Sequence, residues 1–138
     1  MTDKFDFEKD ILPQIGKMYK EMGILLRQQC KVYGVDMTRE QFILLKTLQV
    51  QDGLPQSDLA FITENNKSSI TRLINVMERK NWVARLPSKA DARINHIHLT
   101  KLGKTTLKNF LPIISELRSK IYANITEEAL ETTFGVIM

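Results

Sequence analysis

Asn66-Lys67-Ser68-Ser69-Ile70-Thr71-Arg72-Leu73-Ile74-Asn75-Val76-Met77-Glu78-Arg79-Lys80 is the stretch on which the fold turns. At about 100° per residue, with Ile70 at zero, Leu73 falls near ~300°, Ile74 near ~40° and Met77 near ~340°. These four share an apolar face, so the spacing predicts a helix that runs to about Lys80. Asn65 or Asn66 can cap it. On the same wheel Thr71, Asn75, Ser68 and Arg72 fall between about 100° and 200°. That face is polar and short, with one long cation. Ser, Thr and Asn exchange hydrogen bonds with base edges or phosphates, and Arg grips guanine through two bonds. A purely solvated face would more often carry Glu and Lys. Here the one carboxylate is Glu78, near the C-terminal end. The N-terminal part is free of carboxylates, as suits a helix end that meets phosphate.

Upstream, Glu64-Asn65-Asn66 is a break, and before it a short helix follows Pro55 and carries Leu59, Ala60 and Ile62. An earlier helix starts at Thr38, where Gln41 completes a capping box. Its buried face is Phe42, Leu44, Leu45 and Leu48, and Asp52-Gly53 ends it. The first helix carries Ile11, Ile15, Met18, Met22 and Leu25 on one stripe, and Leu12, Tyr19, Leu26 and Tyr33 on another. Its apolar arc is wide enough to need cover on two sides, from its own core and from a partner such as a second subunit. Pro13 fits only near its start, and Gly34 is its stop signal.

Downstream the period changes. Trp82 to Leu86 reads as a short strand, Pro87 to Ala92 as a polar turn, and Asn95 to Leu99 as a second strand, with Ile97 and Leu99 inward and both histidines outward. Thr100 opens a helix with Leu107, Phe110, Leu111, Ile114 and Leu117 apolar, in which Pro112 predicts a kink or a join. A last helix follows Thr126. The class is mainly α with a small β-hairpin. A short helix, a tight turn and a polar-faced helix make a helix-turn-helix, and the hairpin is its wing. Lys89 and Arg93 lie on the wing turn, with Arg85 on the strand before it. An Arg at a loop tip suits the narrow minor groove, where the potential is most negative.

Charge agrees with this placement. Residues 66–104 hold nine cations against two anions, a net of +7 in a chain of 138 residues whose total is +4, so the rest carries −3. A basic segment in a slightly acidic body points to a localised polyanion contact. The apolar fraction of 43% is enough for one core. Apolar runs fall far short of the ~20 residues that span a bilayer. No basic start precedes an apolar run, so neither a signal peptide nor a membrane partner is expected. The single cysteine, Cys30, forms no intrachain bridge and suits a reducing cytoplasm. Met18, Met22 and Met37 border the first helix and are core by default, a ligand cavity being the other reading. No nucleophile–base pair, phosphate loop, cofactor motif or metal motif is present, so no enzyme is expected.

Asp91-Ala92-Arg93, followed by His98-Leu99-Thr100 and Gly103, resembles the wing signature of the multiple antibiotic resistance regulator (MarR) family. Thr38 to Leu45, Gln56 to Ala60, Ser69 to Ile74 and Glu78 to Lys80 fall in the same register, so the resemblance covers nearly the whole chain. It implies a homodimeric transcription regulator, in particular a repressor, with a winged helix-turn-helix over 38–100 and dimerisation helices over 5–34 and 101–138. It implies double-stranded DNA as partner and a small aromatic or anionic effector bound between the dimer and DNA-binding regions. The implied DNA contacts are Gln56, Ser57, Asn66, Lys67, Ser68, Ser69, Thr71, Arg72, Asn75, Arg85, Lys89 and Arg93, with Asp91 steadying the wing arginine. Two departures stand out. Asn81-Trp82 replaces the usual Gly and aliphatic residue, and Ala92 replaces a frequent cation. The other reading of the same residues is a winged-helix protein-interaction module without specific DNA binding.

Overall fold

The structure is a computed structural model that describes residues 6–138. Residues 1–5, and with them the start of the acidic opening and of the 5–34 segment, lie outside the described residues. Helix α1 spans Ile11–Val32, where the Asp10 side chain accepts from the Leu12 N–H and so caps the start. It stops where the sequence indicates. Gly34 takes φ +64°, a left-handed value that glycine adopts at no steric cost. The Val35 N–H then returns to the Cys30 carbonyl at 2.9 Å. Helix α2, Arg39–Val50, opens on the expected capping box, with Thr38 and Gln41 each accepting the other's backbone N–H.

After α2 the chain holds a feature that periodicity did not show. Gly53, at φ +72°, turns Leu54–Pro55 into a two-residue strand, β1, beside the hairpin. The strands β2 (Val83–Pro87) and β3 (Asn95–Leu99) form the expected antiparallel pair, with Val83 opposite Leu99 and Pro87 opposite Asn95. With β1 on the other edge of β3, the sheet has three strands in the order β1-β3-β2. The short helix that follows, Gln56–Thr63, winds as a 3-10 helix.

Helix α3 spans Lys67–Arg79 and buries Ile70, Ile74 and Met77, with Leu73 packed at the edge. At its far end Asn81 stands at φ +58°, so asparagine takes the left-handed position. Asn tolerates that region better than other non-glycine residues, which is why the helix-to-strand turn survives the departure seen in the sequence. Lys80 fastens this corner. Its ammonium lies 3.0 Å from the Asp36 carboxylate and 4.4 Å from the Trp82 ring centre. Helix α4, Lys101–Tyr122, runs through Pro112 without a break, so the expected join is absent. Helix α5, Glu127–Ile137, is capped by Thr126. The core gathers Leu44, Leu45, Leu48, Leu59, Ile70, Ile74, Met77, Ile97, Leu107 and Phe110 from α2, the 3-10 helix, α3, β3 and α4. Ile113, rather than Ile114, completes the buried face of α4.

Candidate nucleic-acid interface

The site begins at a sharp corner. Glu64 and Asn65 both take left-handed backbone values, which reverses the chain within two residues. Asn66 follows, and its side chain accepts from the Ser69 N–H at 3.0 Å, fixing the start of α3. From that cap outward Lys67, Ser68, Arg72 and Asn75 are exposed, while Ser69 and Thr71 are half-buried. Arg72 donates to the Ser69 hydroxyl at 3.2 Å. Thr71 is turned partly inward, because Gln56 Nε2 donates to its hydroxyl at 2.9 Å and the hydroxyl donates to the Lys67 carbonyl. Of the polar face read from the wheel, Ser68, Arg72 and Asn75 are therefore exposed to a ligand, and Thr71 is turned to the protein.

Lys89 is exposed at the wing turn, and Arg93 extends from it with 90% of its side chain exposed. Its guanidinium donates to both carboxylate oxygens of Asp91, at 3.0 and 2.9 Å, and Asp91 also accepts the Arg93 N–H. These bonds hold the Asp91 carboxyl below its ordinary range and raise the Arg93 guanidinium. The carboxylate thus stays ionised to lower pH than an unpaired aspartate does. Between the 3-10 helix, the start of α3 and the wing lies a cleft of about 430 Å³, lined by Gln56, Ser57, Lys67, Arg93 and Asn95. Four of the expected contact residues meet there. Asn95 was not expected, since in sequence it reads only as the first residue of a strand.

One expectation is corrected. Arg85 does not face outward: only 18% of its side chain is exposed, and its guanidinium donates to Glu78, to Gln56 Oε1 and to the Thr71 carbonyl. It points along the core-facing side of β2, where Ile97 lies opposite. His96 and His98 lie on the opposite face of the sheet, as alternation requires, and are partly exposed. The turn before β1 packs beside them, so that His96 Nδ1 lies 2.7 Å from the Gly53 carbonyl and His98 Nδ1 lies 3.5 Å from Asp52.

A second groove, about 700 Å³, runs between α1 and the chain entering α2, lined among others by Tyr19, Lys20, Arg27, Met37 and Arg39. Arg39 stacks over the Tyr19 ring at 5.2 Å. Met37 lines this groove, whereas Met18 and Met22 are exposed on α1. Cys30 borders it from beneath, with its thiol 3.6 Å from the Met37 carbonyl. Burial, added to by the charge of Asp36, pushes that thiol up, so little thiolate forms near neutral pH.

A 3-10 helix, a left-handed corner, an exposed polar helix and a three-stranded wing define a winged helix-turn-helix, the class of DNA-binding regulators. Residues 37–94 match the MarR family. The chain is 29% identical over 124 residues to the HTH-type transcriptional regulator YpoP of Bacillus subtilis, covering 84% of this chain and 88% of that one. It is 30% identical over 112 residues to the transcriptional repressor MprA of Escherichia coli, covering 80% of this chain and 63% of that one. The fold superposes on S. aureus MepR, solved as a complex with DNA, with a TM-score of 0.80 and 25% identity over 97% of this chain and 95% of that one. The chain belongs to the MarR family and is a DNA-binding transcription regulator.

Proposed function

We propose that the chain is a homodimeric, sequence-specific repressor. Ser68, Arg72 and Asn75 of α3 read base edges in the major groove, and Arg93 enters the adjacent minor groove. Ser57, Lys67 and the capped start of α3 hold phosphates, and Lys89 adds charge from the wing. The observation that carries this reading is the exposed, carboxylate-free start of α3 facing one cleft together with the wing arginine. The complex of MepR with DNA and the printed role of MprA as a repressor support it.

The test starts with a random duplex pool from which the purified protein enriches its own sites. Affinities for the enriched duplex and for a random one, measured across a salt series, should differ by about 4 kcal/mol or more. Equal affinities at every salt concentration would favour the protein-interaction module instead. Arg93→Ala should weaken binding to both duplexes and lower the log–log salt slope by about one. If affinity and slope are both unchanged, the wing does not touch DNA.

The effector is assigned to the groove beside α1. Its four cations outnumber its two carboxylates, Asp36 and Glu40, and with the Tyr19 ring and Met37 suit a small amphipathic anion, and its walls join α1 to the entry of α2. A panel of aromatic carboxylates should contain a member that raises the melting temperature of the protein and weakens its hold on the enriched duplex. A flat response across the panel would remove ligand control from the proposal.

A further inference from the structure

We propose that Arg85 is the positioning residue of the reading head, setting the wing at a fixed distance from α3 rather than touching DNA. The inference rests on the sequence-specific reading above. One guanidinium on β2 is bonded to three separate places. It pairs with Glu78 in the last turns of α3, donates to the Thr71 carbonyl in the middle of α3 at 3.3 Å, and donates to Gln56 Oε1 on the 3-10 helix at 3.2 Å. Gln56 closes the loop by donating to the Thr71 hydroxyl at 2.9 Å. The wing strand, α3 and the helix before it are thereby tied at one point. A planar fork with five fixed donors is the side chain suited to such a joint, and a lysine ammonium is not.

The joint matters because the two DNA contacts are simultaneous. Major-groove reading by α3 and minor-groove reach by Arg93 both depend on the angle between helix and wing. Arg85 and Glu78 also cancel each other's charge, so the pair adds nothing net to the attraction for phosphate. Arg85→Lys, which keeps the charge, should therefore disturb recognition of the right sequence while leaving non-specific electrostatics alone, whereas Glu78→Gln leaves the Arg85 charge unpaired.

Two variants test this, Glu78→Gln and Arg85→Lys, each checked for native circular dichroism and read on the enriched and random duplexes across a salt series. Both should lose at least about tenfold in affinity for the enriched duplex, as members of one bonded network do. Arg85→Lys should keep the salt slope and the random-duplex affinity of the parent, and Glu78→Gln should bind the random duplex no more weakly than the parent does. The sign for Glu78→Gln is diagnostic, since removing an anion near DNA tightens binding if that anion is a bystander. Tighter binding of the enriched duplex by Glu78→Gln, or enriched-duplex affinity unchanged in either folded variant, overturns the proposal. Arg85→Ala adds a third reading: a slope lowered by about one with equal losses on both duplexes would make Arg85 a phosphate contact after all. Should Arg85→Lys fail to fold, Glu78→Gln, which keeps its shape, decides alone. A parent protein that does not separate the duplexes fails the sequence-specific reading as well; a parent that separates them beside unaffected variants fails only the positioning role.

Discussion

Replacing Gly103 by alanine is expected to remove about 3 kcal/mol or more of stability, although alanine is the better helix former. A Cβ at this position would stand 2.0 Å from the Trp82 carbonyl oxygen, 2.9 Å from its carbon and 3.2 Å from its Cα. All three are backbone atoms, so no rotamer change relieves the clash. The same corner is tied by hydrogen bonds that cannot shift singly. The Thr100 N–H donates to the Trp82 carbonyl at 3.1 Å, the Thr100 hydroxyl donates to the Asn81 carbonyl at 2.5 Å, and that hydroxyl accepts the Gly103 N–H at 2.9 Å. Moving α4 away would break the cap, and moving β2 would disturb its ladder with β3. Either adds about 1 kcal/mol per bond lost to the cost of overpacking. Urea denaturation measures it, and Gly16 supplies the control. An added Cβ at Gly16, on the exposed side of α1, meets no atom within 4 Å. Gly16→Ala should therefore gain up to about 1 kcal/mol when read in the background of the monomeric Ile15→Glu, Met22→Glu variant described below. Equal midpoints for Gly103→Ala and the parent would show that α4 does not approach the strand this closely.

The contrast between the two glycines also shows what sequence reading reaches. Local chemistry was legible. Thr38, Asn66, Thr100 and Thr126 cap the helices they precede, because a short side-chain oxygen meets an orphan N–H wherever a helix begins. The apolar face of α3 was legible for the same reason, since helical period is a property of the residues themselves. What depended on distant parts of the chain was not. Strand β1 is two residues with a proline, too short for any period, and it exists only because Gly53 turns it against β3. Arg85, read beside Lys89 and Arg93, looks like one more surface cation. Its partner Glu78 lies seven residues away across a left-handed turn, and only the folding of β2 back along α3 brings them together. Alternation placed His96 and His98 on one face correctly but could not say that the Asp52-Gly53 turn packs beside it. Of the kink or join expected at Pro112, the join is absent and the helix runs on. Pro112 and Lys108 are both exposed, so the carbonyl that the proline leaves unbonded remains within reach of water.

A charge placed on the outer face of α1 should dissociate the proposed dimer and cost about 30-fold or more in affinity for the enriched duplex. Within one chain α1 buries only Gln29 and Cys30, while Ile11, Leu12, Ile15, Met18, Tyr19 and Met22 are each about half or more exposed. Helix α5 buries no residue, and Phe134, Val136 and Ile137 are exposed on it. A contiguous apolar surface of this kind marks an interaction face rather than a solvated one. A second copy is the occupant proposed, because both ends of the same chain present uncovered faces and a two-fold pair covers each end with its equivalent. Recognition then depends on assembly, since two α3 helices reach half-sites one helical turn apart only when the copies are joined. A monomer keeps one half of the base contacts. Halving a specificity of roughly 4–10 kcal/mol removes about 2–5 kcal/mol, which is the stated loss or more. Ile15→Glu with Met22→Glu is the variant of choice, since neither side chain is buried in the chain itself and the fold of residues 38–100 should survive. Sedimentation should show the parent as a dimer and the variant as a monomer of unchanged circular dichroism, with random-duplex binding reduced far less than binding to the enriched one. A parent that sediments as a monomer at tens of micromolar, or a variant that stays dimeric with full affinity, would assign the face of α1 to something other than a second copy.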